Sequence, residues 1–468
     1  MDKTLVGAIV FLLFLQSMSF VFWEQYPSAD MYYKWQITDE IVQNRAIPYE
    51  DLSASEPRKH VYPPLFDILT AQLMVLTGAN YWLISAILSF IILPLYFILS
   101  FSILSFFTKN RSIKLLASLL FCTNPFLVFQ YAPIHAGPTI GHLLSLTLVY
   151  AFLRHFRAKK DSMMLMAVVS AFLLLSHYRS FILTYAIIAA FLSFSCLKGR
   201  LKASEALPMG VPLVSSLLLA LPWLISRPGS IFATRTVTNP NLPSAGFLGL
   251  PLVLFSGIAL YAVIKRWRKD FGYRFLVFWT GVPVFIAISQ FLLGSSTFFR
   301  NLEYGALPVI FVASSVLVKD LSRQKQAVRR ASYVLLLAFV CLQAVSAFML
   351  DPLIFPGEAE AFEWLRGQEK GVTIASFKHS YVIPKISQKQ VVVGAFPESL
   401  PGSEEKLIDV HDFFTTCDFE KRRDILEKYG VRYLFYGIEE QAITSCPLQF
   451  DAFQSVYNKG GVEVFSIK

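Results

Sequence analysis

Charge is scarce in this sequence. Asp, Glu, Lys and Arg together make up 16% of its 468 residues, where a soluble domain carries roughly a quarter. Cysteine is scarcer still: the five are dispersed and none forms a Cys-x-x-Cys pair, which excludes a disulfide-dense scaffold and the common zinc modules. No basic patch with interleaved aromatics occurs, so the net charge of +10 does not point to nucleic acid, and no nucleic-acid partner is expected. No internal repeat is visible. The sequence is instead rich in apolar residues: 55% are hydrophobic and 43 are Phe. The basic residues stand in short clusters between apolar runs, the pattern of cytoplasmic loops in a membrane protein.

Runs long enough to span a bilayer, with help from flanking residues, fall near 4–23, 81–107, 113–129, 138–153, 162–176, 180–197, 207–226, 247–264, 272–293, 301–318 and 331–349. The first has Lys3 before it and no small-residue cleavage site after it, so it reads as an uncleaved span rather than a signal peptide. The stretch 64–78 is ambiguous, being short and carrying Asp67 and Gln72. The positive-inside rule decides. With 64–78 kept outside, the clusters at 109–114, 154–160, 198–202, 265–269 and 319–330 share one side with Lys3; counted as a span, it moves all five outward. It is therefore expected as a juxtamembrane amphipathic helix. The sequence thus predicts a polytopic α-helical membrane protein of about eleven spans in the cytoplasmic (plasma) membrane, its N-terminus inside. A transmembrane domain over 1–350, with a first outer loop at 24–78, precedes an extracytoplasmic α/β domain over 351–468. The sequon Asn110-Arg111-Ser112 then faces the cytoplasm.

The tail turns soluble in composition. Helices are expected over 359–368 and 419–429, and strands over 372–377, 390–396, 432–437 and 462–467, an alternation that suggests a small α/β domain. Cys417 and Cys446 share the oxidising side and are either a disulfide or two buried thiols.

Ionisable groups are few at mid-depth. They gather at the outer ends of the spans: Asp30, Asp39, Glu40, His60, His135, His142, His177, Arg179, Arg300 and Glu303. A transporter more often places such groups near the midplane, so this distribution suggests a site at the outer interface. Asp30 follows the first span at the start of a helix carrying Tyr33, Ile37 and Ile41 on one face. It reads either as a helix N-cap or as a catalytic carboxylate at the membrane surface.

The loop pattern Asp30-x-Tyr32-Tyr33, a helix ending in Ile47-Pro48, and Tyr62-Pro63-Pro64-Leu65 before a helix closed by Thr77-Gly78 resembles the GT-C superfamily of glycosyltransferases. It is similar to members related to oligosaccharyltransferase catalytic subunits and protein mannosyltransferases. In the tail, Leu426-Glu427-Lys428-Tyr429-Gly430-Val431-Arg432-Tyr433-Leu434 and Val456-Tyr457-x-x-Gly460-Gly461-Val462 look like stretches of relatives. The resemblance implies a multi-spanning enzyme that takes a sugar from a polyprenyl- or dolichyl-linked phosphate, with Asp30 catalytic. It also implies a late Arg, here Arg300, on the carrier phosphate. Three departures matter. The Trp-Trp-Asp motif that reads an acceptor sequon is absent, the nearest match being Glu363-Trp364-Leu365, so transfer to Asn is not expected. Lys34 stands where many relatives have His. The second outer loop, Gln130 to His135, lacks an acidic residue, so no metal or other cofactor is assigned.

The chemistry fits those residues. Phosphate departs as a stable anion and needs no acid, whereas the acceptor hydroxyl needs a base and the phosphate a cation. A carboxylate in a partly desolvated cleft serves as base, and in-line attack inverts the anomeric centre. Arg300 offers phosphate a rigid fork; its other reading is an interfacial Arg reaching headgroups. Tyr33, His60, Tyr62, His135, His177, Arg179 and Glu303 complete the expected substrate-binding set. The expected partners are a lipid-phosphate-linked sugar, a glycan, lipid or protein acceptor, and membrane lipids. The competing functions are a transporter or lipid-glycan flippase, and a non-catalytic membrane scaffold.

Overall fold

The computed structural model describes residues 3–22, 29–51, 53–55, 58–59, 63–123, 136–158, 161–226, 271–292, 303–322, 326, 354–394, 403–447 and 453–467. Its first part is helical: α1 (Lys3–Phe22), α2 (Ala29–Asn44), α3 (Leu65–Thr77), α4 (Tyr81–Leu104), α5 (Arg111–Cys122), α6 (Ala136–Ala158), α7 (Met163–Ser176), α8 (Tyr178–Leu197), α9 (Gly210–Ser226), α10 (Phe271–Leu292) and α11 (Ala306–Ser322). Helices α1 and α4 to α11 lie on apolar runs of the sequence, as expected where backbone groups must be satisfied without water. The runs 247–264 and 331–349 lie outside the described residues. Among the described residues, Tyr81–Leu104, Tyr178–Leu197 and Ala203–Ser226 are each long and apolar enough to cross a membrane.

Polar residues set the helix ends. The Asn80 side chain accepts from the Leu83 N–H at 2.9 Å and Asn110 from the Ile113 N–H at 3.2 Å, each satisfying an amide that the helix leaves open. Gly78 closes α3 at φ 69°, its N–H donating to Met74 O, a backbone turn that favours glycine. The abundant Phe side chains fill the space between helices. Phe152, Phe191 and Phe275 are fully buried and meet with ring centroids 5.3–6.0 Å apart. Opposite faces stay apolar and open, as at Leu218, Leu219 and Ile225 of α9, which suits a lipid surround.

The tail is a mixed sheet with helices on both faces. It contains α12 (Pro356–Arg366), β1 (Val372–Ile374), β2 (Gln390–Val391), α13 (Ser403–Thr415), α14 (Phe419–Lys428), β3 (Val431–Tyr436), α15 (Ile438–Ile443), β4 (Phe453–Lys459) and β5 (Val462–Ile467). The strand order is β2-β1-β3-β5-β4, with β1 parallel to β2 and β3, and β5 antiparallel to β3 and β4. Alternation along β3 sends Leu434 to one face, with Phe413, Phe414 and Ile425, and Tyr433 and Phe435 to the other. Two expected strands are shorter than read: 372–377 ends at Ile374 and 390–396 at Val391. Cys417 and Cys446 form a disulfide, with Cα atoms 5.4 Å apart.

The sheet face of Tyr433 and Phe435 does not end at the tail. Its cluster continues through Phe362, Leu365 and Ile383 into Met31 and Tyr32 of α2, Phe66 of α3 and Tyr81 of α4. The tail is thereby packed onto the helices of the first loop.

Candidate functional site

The first loop folds as two helices pressed together. Met31, Tyr32, Tyr33, Lys34, Ile37 and Thr38 of α2 are all buried. Within this dry surface the Lys34 ammonium donates to Asp67 Oδ2 of α3 at 2.8 Å, with side-chain exposures of 3% and 0%. Asp67 Oδ1 is buried without a hydrogen-bond partner. Burial raises the Asp67 carboxyl above its ordinary range, and Lys34 opposes that rise. The Tyr81 hydroxyl of α4 lies 3.7 Å from Met31 Sδ, and the Trp35 and Tyr81 rings stack with centroids 6.2 Å apart.

The tail closes over the outer side of α2. Tyr33, Ile37 and Ile41 share one face, as the helical spacing predicts, and pack with Tyr381 and Phe377. Lys385 pairs with Asp39 and lies over the Trp35 ring. Residues 53–55 of the first loop join the free edge of β2. Ala54 bridges Val391 in parallel, the Ser55 N–H donates to Val391 O at 2.8 Å, and the Val391 N–H donates to Ser53 O at 2.9 Å.

A second polar group lies where α6, α8 and the turn Glu303–Gly305 meet. His177 caps α8. Its Nδ1 accepts from the Ser180 N–H at 3.2 Å and lies 2.6 Å from Ser180 Oγ, which in turn contacts the Tyr304 hydroxyl. The His142 ring of α6 meets Tyr304 edge-on, with centroids 5.0 Å apart. Gly141 makes the approach of α6 feasible, because a Cβ there would overlap His177 Cβ. Ile140, next in the chain, packs against the Met31–Tyr32 cluster. One turn of α6 thus borders both polar groups.

Of the residues expected from sequence, Asp30 lies in the first turn of α2. Its side chain is outside the described residues, as are His60, Tyr62, His135 and Arg300. Tyr33 is buried against Tyr381. Arg179 is half-buried in the first turn of α8, two residues from His177. Glu303 opens the short turn that presents Tyr304, and its side chain is not described. The structure brings His177 together with the segment of Glu303, through Ser180 and Tyr304. The sequence reading passed over Asp67 as a partner for Lys34, and Ser180 and Tyr304 altogether. The signal for the first was an acidic residue in an otherwise apolar short helix; hydroxyl residues in spans carry too little signal for the others.

Sequence reading also missed a buried cluster in the tail. Glu440 Oε1 lies 2.8 Å from His379 Nδ1, and Glu358 Oε2 lies 3.4 Å from Nε2. All three side chains are shut from solvent, and their ligand atoms lie within 4.8 Å of one another, close enough to prompt the question of a metal. The geometry argues otherwise. The carboxylates flank opposite edges of the ring, and both already accept backbone N–H groups: Glu358 from Phe355 and Ile438, Glu440 from Ser376 and Gly437. Burial alone would lower the His379 pKa, but Glu440 and Glu358 raise it to about 10. The group is an imidazolium clasped between two carboxylates, tying α12, α15 and the 376–379 turn together.

No family model matches the sequence, and no curated protein matches it either. The structure is similar to that of the Archaeoglobus fulgidus oligosaccharyltransferase: TM-score 0.67 at 14% identity, over 93% of this chain and 70% of that one. It is similar along almost its whole length to ArnT from Cupriavidus metallidurans bound to undecaprenyl phosphate, with TM-score 0.57 at 11% identity, over 98% and 97% of the two chains. The mycobacterial arabinofuranosyltransferase AftD gives TM-score 0.56 at 13% identity, over 100% of this chain and 40% of its own. The chain shares the fold of these three glycosyltransferases, a bundle of apolar helices carrying a small sheet domain.

Proposed function

We propose that this protein is an inverting glycosyltransferase that moves a sugar from a polyprenyl- or dolichyl-phosphate-linked donor to an acceptor at the outer membrane face. The observation that supports the reading is the packing of α2, whose first turn contains Asp30, against α3, α4 and the tail, in a fold similar to that of a protein bound to undecaprenyl phosphate. Asp30 is the base for the acceptor hydroxyl. Arg300 holds the carrier phosphate, and His177 and Arg179 are further contacts for the donor. The basic loops face the cytoplasm and the tail faces outward, in a plasma membrane crossed about eleven times. A metal is not required by these roles.

The experiment is turnover. The purified protein is given polyprenyl-phosphate sugars, and released carrier phosphate and the anomeric configuration of the product are measured. Transfer with inversion is expected, and Arg300→Lys should raise the donor KM because a point charge replaces a bidentate fork. An unchanged donor KM in Arg300→Ala reassigns the phosphate to Arg179. Movement of a lipid glycan across vesicles without any sugar transfer makes the protein a translocator instead.

A further inference from the structure

We infer that Ser180 and Tyr304 are positioning residues for His177: they fix its ring as the neutral tautomer with the proton on Nε2, so that His177 donates a hydrogen bond to the carrier phosphate. The inference rests on the reading of His177 as a contact of a lipid-phosphate donor.

What each group can donate sets the direction of each bond. The Ser180 N–H can only donate, and it does so to His177 Nδ1 at 3.2 Å. Nδ1 therefore offers a lone pair and carries no proton, and the neutral ring holds its proton on Nε2. A second proton, on Nδ1, would face the Ser180 N–H and break the cap of α8. The Ser180 hydroxyl, 2.6 Å from the same bare nitrogen, has one proton and gives it there. Its oxygen is left to accept, so the contact with Tyr304 runs from the Tyr304 O–H to Ser180 Oγ. The three residues form one directed chain, in which each bond polarises the next.

The chain starts inside the protein and ends at its surface. Tyr304 and Ser180 are buried, whereas His177 is half-buried. Gly141 covers the His177 Cβ and Ser180 covers Nδ1, so the exposed part of the ring is its Nε2 edge. His142 does not extend the chain. Its Nδ1 is buried with no hydrogen-bond partner, and its ring meets Tyr304 edge-on. A neutral donor suits a phosphate already matched by an arginine. An N–H of fixed direction orients the group without a further charge to desolvate, and it is in place as charge grows on the departing phosphate.

The test uses the two amide side chains. Asparagine caps a helix well, and its Oδ1 stands where Nδ1 stands, so His177→Asn keeps the cap and offers nothing at the Nε2 place. Glutamine reaches that place with an amide N–H but is too long to cap, so His177→Gln does the reverse. Binding of undecaprenyl phosphate to the purified full-length protein is measured beside the unfolding temperature of the lipid-free protein. His177→Asn should unfold near the wild-type temperature and bind about tenfold or more weakly, the worth of a hydrogen bond to a charged group. His177→Gln should unfold earlier and bind more tightly than His177→Asn. Tyr304→Phe should weaken binding in the wild-type background and add nothing to His177→Asn. Ring nitrogen NMR should show a bare Nδ1 and a protonated Nε2 in the signal that His177→Asn removes. Unchanged binding in His177→Asn makes His177 a helix cap alone, and a proton on Nδ1 removes the directed chain; either result overturns the proposal. A wild-type protein that binds neither undecaprenyl nor dolichyl phosphate overturns the reading of the donor, and this proposal with it.

Discussion

Lys385, from a short helix of the tail, stands 4.1 Å from the centre of the Trp35 ring in the first loop. The same ammonium pairs with Asp39, one turn further along α2, so one side chain grips two points of the helix whose first turn contains Asp30. This grip and the strand pairing of Ala54 with Val391 make the tail a support for the first loop.

Lys385→Met keeps the length of the side chain and removes its charge. We expect a cost of about 1 kcal/mol, from the cation–π contact and a partly exposed ion pair together. Hydrogen exchange should quicken in α2 and at the Ser55 amide. Lys385→Arg should restore protection, since a guanidinium also stacks on an indole. A reciprocal exchange of Asp39 and Lys385 should recover only the ionic part. Exchange rates in α2 that ignore Lys385→Met would show that the tail does not support it.

Gly141→Ala sets two effects against each other. Alanine favours a helix over glycine by roughly 1 kcal/mol, but its Cβ would overlap His177, and overpacking typically costs about 1–3 kcal/mol. The steric term wins because the neighbour is the Cβ of His177, held by its own helix cap, and not the end of a flexible chain. Thermal unfolding of the purified protein should begin at a lower temperature. A raised midpoint would mean that α6 and α8 lie further apart than the structure has them.

The clasp around His379 makes the tail sensitive to pH on both sides. Burial tends to raise Glu358 and Glu440, yet His379 and backbone amides hold both below the ordinary carboxylate value. Their contribution is present above that value and is lost as pH falls through the lowered one. Burial lowers His379, but the two carboxylates overcome this and raise it to about 10. Its contribution is complete below the ordinary histidine value and is lost as pH rises from there towards 10. The tail should therefore be most stable at about pH 5–6. Protease cleavage and exchange at the Ser376 and Ile438 amides should be slowest there. His379→Ala leaves two buried carboxylates without their cation and should cost about 3–5 kcal/mol at that pH. Stability that climbs from pH 6 to pH 9 would reject the imidazolium.

The sequence announced the helices better than the contacts between them. Apolar runs and the Thr77-Gly78 stop locate α1 and α3 to α11 because solvation acts on each segment alone. The hairpin of β4 and β5 was signalled too, by Gly460 and Gly461, which take φ 64° and 78° in the turn. Yet β4 was passed over: it is an edge strand whose outer residues are polar, so its pattern lacks the apolar alternation of a buried strand. The partners of Lys34, His177 and His379 were not legible. Asp67 lies 33 residues from Lys34, Tyr304 lies 124 from Ser180, and Glu440 lies 61 from His379. A polar side chain in an apolar stretch says that it has a partner and gives no sign of which. For the cysteines, spacing left both states open, and the fold joins Cys417 to Cys446.

The central prediction concerns Asp30. A cap and a base differ in what they require of this side chain. Asparagine caps a helix about as well as aspartate, but its amide takes no proton from a hydroxyl at neutral pH. Asp30 lies within the first turn of α2, one place beyond the Ala29 that opens it, where a cap contributes less than at the helix boundary itself. Asp30→Asn should therefore leave the unfolding temperature near that of the wild type and lower sugar transfer by about a hundredfold or more, the usual worth of a general base. Donor binding should survive, since the carboxylate acts on the acceptor. Asp39→Asn, which removes a partner of Lys385, should show the converse: a looser tail with chemistry reduced far less. Near wild-type turnover in Asp30→Asn, measured beside intact donor binding, would place the base on another residue.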